Sequence, residues 1–161
     1  MDPQSLTDEI ISALLIAPKR ITDRKAKEVQ KAKHSQRNFN VITLDSSQAF
    51  TLIVRQSLMI KDSFSCGLLW HAASMQNVML TRYNGSDHSH TNPIEGEEFA
   101  FSCHIHKATE RYIEIGRKSE HFASETNRYQ NVDDALKCLL QDCNISGMSA
   151  DDDETQGNLF V

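Results

Sequence analysis

Apolar positions recur at two periods along this chain. Near its start Ile10, Ile11, Leu14 and Leu15 fall at helical spacing. Ser5, with Asp8 three residues on, makes a capping-box-like beginning, and Pro18 ends the run. Thr22 offers a second cap, and residues 22–35 read as a mostly solvated helix whose apolar positions are only Ala26, Val29 and Ala32. From residue 39 the texture becomes β-branched and aromatic. "FNVITLD", "AFTLIVRQS", "SFSCGLLWHA", "QNVMLTRYNG", "EEFAFSCHIHKA" and "RYIEIGR" predict about six strands on short connections, hence an antiparallel meander. Asn131 then caps "VDDALKCLLQDC", where Val132, Ala135, Leu136, Leu139, Leu140 and Cys143 return to helical spacing.

The fold class that follows is α+β: N-terminal helices within 5–36, an antiparallel five- to six-stranded sheet over 39–117, and a helix over 131–144 packed on the sheet. The expected core includes Leu14, Phe50, Leu52, Val54, Leu68, Trp70, Phe99, Phe101, Ile105, Leu136 and Leu140. Residues 1–147 read as one domain. Residues 148–161, with four consecutive acids at 151–154, read as a flexible acidic tail.

Charge modifies this picture locally. Residues 18–37 carry eight basic side chains against Asp23 and Glu28, a net of +6. The chain totals −5, so the remainder carries −11. Lys19, Arg20, Arg24, Lys25, Lys27 and Lys31 are therefore the candidates for contact with a nucleic acid or an acidic protein, against the alternative of a plain solvated helix. The overall acidity argues against a generally basic coat. Four cysteines without a Cys-x-x-Cys pair, three of them in apolar patterns, read as reduced, buried thiols of a cytoplasmic protein. The acidic start "MDPQSLTDE" is unlike a signal peptide, and "ALLIA" is far too short to span a membrane.

The candidate chemistry lies in "RYNGSDHSHTNPIEGEEFAFSCHIH", where four of seven histidines form two His-x-His pairs. On a strand, Phe99, Phe101, Cys103 and Ile105 share the core face, and His104 and His106 project from the opposite face. Turn signals at Asn92-Pro93 and Glu95-Gly96 fold the preceding loop back towards this strand, a course that can bring both His88 and His90 near His104 and His106. Three readings are open. The histidines are ordinary polar-face residues; or they ligate zinc, although the best ligand spacings are absent; or they perform acid–base chemistry on RNA without a metal. In the last reading His90, His104 and His106 act as base and acid, and Arg82 and Arg111 hold the phosphate. The leading expectation is a toxin-like nuclease without a cofactor. The alternatives are a non-catalytic binder of a host or defence protein and a zinc-binding domain.

A resemblance accompanies these residues. Arg82-Tyr83, His90, Asn92-Pro93, Gly96-Glu97, His104-Ile105-His106 and Cys143-Asn144-Ile145 resemble a family of small uncharacterised bacterial and mobile-element proteins, a domain of unknown function. The resemblance covers roughly residues 40–146. The family pattern has Asp-Gly after the proline and a proline before His-x-His; this chain has Ile94-Glu95-Gly96 and Cys103. The layout, a histidine-rich strand before a closing helix, also looks like that of toxin families. The resemblance implies neither an activity nor a ligand.

Overall fold

The computed structural model describes residues 6–23, 26–73 and 76–148; the expected acidic tail lies almost wholly outside them. Helix α1 (Asp8–Ile16) opens the fold. Its N-cap is Thr7 rather than Ser5: the Thr7 hydroxyl accepts from the Ile10 N–H at 3.2 Å, satisfying an otherwise orphaned donor. Strands β1 (Lys19–Ile21), β2 (Lys27–Gln30), β3 (His34–Thr43), β4 (Ala49–Ser57), β5 (Phe64–His71) and β6 (Val78–Asn84) follow. Next come a small hairpin, β7 (His90–Asn92) and β8 (Glu97–Phe99), then β9 (His104–Lys107) and the short helix α2 (Glu110–Glu114). The described part ends with β10 (Ala123–Glu125), α3 (Val132–Asp142) and β11 (Ile145–Ser146).

One sheet runs β10-β9-β6-β5-β4-β3-β1-β11, with β2 also paired to β3, and the β7–β8 hairpin forms a separate two-stranded sheet. Every pairing in the large sheet is antiparallel except β1 with β11. The α+β class and the closing helix are as expected. Asn131 caps α3 by accepting from the Asp134 N–H at 2.8 Å. Among the described residues the large sheet has nine strands rather than five or six.

Three expectations need correction. The described residues of the expected second N-terminal helix form no helix: residues 19–21 and 27–30 are strands, and β2 turns back through Lys31 onto β3. With so few apolar residues, that segment has no stripe to bury as a helix. As a hairpin arm it gains a ladder of hydrogen bonds from β3. "RYIEIGR" is not a strand but mostly α2, which buries Tyr112 and ends before Gly116 at φ +77°. "EEFAFSCHIHK" is not one strand. The backbone enters the left-handed region at Phe101 (φ +49°), which breaks the pleat and leaves that side chain 69% exposed, while Phe99 and Ile105 are half-buried.

The remaining expected core residues, Leu14, Phe50, Leu52, Val54, Leu68, Trp70, Leu136 and Leu140, are buried. Trp70 donates its indole N–H to Gln48 at 2.9 Å, as a core tryptophan requires. All four cysteines are free thiols. No helix among the described residues is long and apolar enough to cross a membrane.

The sheet's two faces have different covers. Tyr83 on β6 donates a short hydrogen bond to Asp142 of α3, so Tyr83 and its cross-strand partner Ile105 face the helix. Arg82 and Asn84, opposite His106 and His104 respectively, face away from it.

Candidate metal centre

β9 aims His104 and His106 at the face that carries no α3, in agreement with alternation. Neither is solvated: His104 is 0% exposed and His106 5%. The β7–β8 hairpin folds over them. The His90 ring stacks on that of His104 at 5.5 Å and meets that of His106 edge-on at 4.9 Å. The His104 and His106 rings are 4.9 Å apart, and Phe99 closes against His104 at 5.8 Å.

Asn92 sets the hairpin's position. Its amide donates to the Ala123 carbonyl at 2.7 Å and its oxygen accepts from the Ala123 N–H at 3.0 Å, so this side chain substitutes for a strand partner along β10. The same oxygen accepts from His90 Nε2 at 2.7 Å, which leaves Nδ1 as the basic nitrogen of that ring. His104 Nδ1 lies 2.9 Å from the Ser102 carbonyl and His106 Nδ1 2.9 Å from the Glu120 carbonyl. A carbonyl only accepts, so both Nδ1 atoms carry the proton and both Nε2 atoms carry lone pairs. Those two Nε2 atoms are buried and have no hydrogen-bond partner.

One nitrogen from each of His90, His104 and His106 lies within 4.8 Å of the others. Burial, with the positive charge of Arg82 next, pulls His106 down to about 3. Burial also lowers His104 and His90, and the neighbouring histidines add to it. At neutral pH the three rings are uncharged and offer lone pairs rather than protons. Arg82 stands beside His106 and is neutralised by Glu120 at 2.8 Å.

With this geometry in hand, the sequence pattern of the family of unknown function DUF6978 matches residues 6–145. The chain belongs to that family. No curated protein and no solved structure matches it. The DUF6978 match takes in α1 and β1–β3, and so reaches well ahead of residue 40, where the resemblance read from motifs began.

Of the five residues expected to act together in this DUF6978 chain, the fold gathers His90, His104, His106 and Arg82. Arg111 is held elsewhere: its Nε donates to Glu95 at 2.5 Å, and its guanidinium covers the Phe122 ring at 4.6 Å. Among the nucleic-acid candidates, Lys19 is 1% exposed. Its ammonium donates to the carbonyls of Leu15 (2.7 Å), Ala17 (2.8 Å) and Cys143 (2.9 Å), so no phosphate reaches it. Arg20 and Lys31 are exposed. Arg24, Lys25 and the side chain of Lys27 lie outside what the structure describes.

Sequence reasoning missed Glu120, His121 and the positioning role of Asn92. His121 lies 5.4 Å from the His90 ring and donates to the Thr91 carbonyl at 3.2 Å. Asn92 had a signal, since it stands two residues after His90 on the same strand face. Glu120 holds His106 through its backbone carbonyl, which no residue pattern marks, and Arg82 through its carboxylate.

Proposed function

We propose that this protein binds one divalent transition metal, zinc before others, through the imidazoles of His90, His104 and His106. The observation that carries the reading is the pair of buried, unpartnered Nε2 atoms facing a third ring. Burying a polar nitrogen without a partner costs on the order of 1–3 kcal/mol. Here the opposite ring nitrogens are each satisfied by a carbonyl, the arrangement that orients ligating histidines in metal sites. A tetrahedral zinc at about 2.1 Å from each nitrogen sets them ~3.4 Å apart. The 4.8 Å envelope therefore closes with shifts of about an ångström.

Titrating the full chain with Zn²⁺ or Co²⁺ tests it. One equivalent binds wild type, and His104→Ala/His106→Ala binds none. Equal binding by wild type and the double variant overturns the proposal.

The metal-independent nuclease stands second. Arg82 beside His106 favours it, as a cation for a phosphate. Against it, a general acid must hold a proton near neutral pH, and the lowered pKa values deny these rings one. RNA cleavage by protein stripped of metal with a chelator, lost in the double histidine variant, restores it. The reading as a mobile-element protein that binds a host or defence component draws on the β4–β5 turn. Leu58, Met59 and Ile60 there stand exposed, Met59 at 81%.

A further inference from the structure

Beside the triad lies a groove of about 490 Å³, and two of the triad residues, His90 and His106, line it. Arg82, Arg117, Lys118 and Glu120 line it as well. Arg82 and Glu120 neutralise one another across 2.8 Å. Arg117 and Lys118 have no acidic partner among the described residues, so the groove carries two unmatched positive charges. They stand on the turn after α2. Its Gly116 adopts φ +77° with open space where a side chain would be, so the turn stands clear and its cations face solvent and groove.

Among the described residues three histidines, and not four, bring a nitrogen into this group. Two further histidines stand close, yet neither joins the group of nitrogens within 4.8 Å. His88 touches the His104 ring edge-on at 4.9 Å, with its Nδ1 on Asp87 at 2.9 Å. His121 is tied to the Thr91 carbonyl. Structural zinc sites close with four protein ligands; sites that bind and turn over small molecules keep one position for an exogenous group. Resting on the metal reading above, we infer that the metal's fourth position opens onto this groove and takes a phosphate-class oxyanion, held there by Arg117 and Lys118. An anion oxygen on the metal replaces water, and the two side chains meet the remaining oxygens. The chemical class of ligand is thus inorganic phosphate or the terminal group of a phosphate monoester.

The test uses the full chain loaded with Co²⁺, whose visible absorption reports coordination, titrated with inorganic phosphate at constant ionic strength. A saturable spectral change is expected, and Arg117→Ala/Lys118→Ala weakens its midpoint about tenfold or more, as loss of charged hydrogen bonds does. Cobalt stoichiometry from the same titration reports whether the variant has folded. If cobalt binds one to one but phosphate leaves the spectrum unmoved, the open-position inference is overturned and the triad stands. A double variant that responds to phosphate like wild type overturns it equally. If cobalt fails to bind at all, the metal reading itself falls, and this inference with it.

Discussion

Lys19 and Asn92 carry more of this structure than their residue types announce. Lys19 gathers carbonyls from the end of α1 and from the C-cap of α3, where a cation also complements the helix dipoles. Burial lowers its amine to about 8, which still leaves it charged at pH 7. Lys19→Met removes three charge-assisted hydrogen bonds at once, and unfolding by urea is expected to show a loss of about 2–4 kcal/mol. Binding to any nucleic acid should be unchanged by the same substitution, provided the variant is assayed where it is folded. Asn92→Ala releases both the hairpin and the His90 ring. Metal affinity should fall by about 10- to 100-fold, the usual effect of losing a residue that orients a ligand; isothermal titration with Zn²⁺ checks it. At this scale the direction of His104 and His106 was legible, because alternation decides it. Their burial was not, because it depends on a hairpin folded from residues 90–99.

At the scale of elements, segments with a strong apolar period were read correctly, with one exception at Phe101, and weak ones were not. α3 and its C-cap Cys143 supply six apolar positions at helical spacing, and a capping asparagine precedes them. Asn131→Ala is expected to cost about 1 kcal/mol in thermal or urea unfolding. The far end of α3 is tied to the loop before it. Arg128 donates to both oxygens of Asp142 at 2.8 and 2.9 Å, and Tyr83 donates to one of them. Burial pushes the Asp142 carboxyl up, but these donors outweigh it and hold it below the ordinary carboxylate range. A carboxylate depressed on folding adds stability that is present above its unfolded value, about 3.9, and disappears as pH falls through its folded value. Wild type should therefore lose more stability between pH 5 and pH 3 than Arg128→Ala; urea midpoints across that window measure the difference. Segment 22–35 and "RYIEIGR" went wrong for one reason. Neither has enough apolar residues to impose a period, so tertiary contacts decided its form: β3 offered the first a ladder partner, and burial of Tyr112 anchors the second as α2. At Phe101 a single left-handed residue broke an alternation that the sequence continues without interruption.

For the whole molecule, the metal proposal has a thermodynamic consequence. A ligand that binds only the folded chain stabilises it by about 2.7 kcal/mol at a hundred times its Kd. For a domain of this size that raises the melting temperature by roughly 5–10 °C. Zn²⁺ should produce this shift in wild type and not in His104→Ala/His106→Ala, as differential scanning calorimetry will show. The sequence by itself determined the α+β class, the two terminal helices, the stop of the first and the cap of the last, the central strands β3–β6, and the outward aim of the two histidines on β9. These follow from local periodicity, which every side chain reports about its own segment. Only the tertiary structure decided that β1 and β2 are strands, that Lys19 is buried, that Arg111 is spent on Glu95, and that His90 closes over His104 and His106 with their lone pairs facing inward. Those outcomes rest on contacts between residues far apart in the chain, such as Lys19 with Cys143 and Asn92 with Ala123. Local spacing carries no record of them, because the energy that selects them exists only when the segments meet.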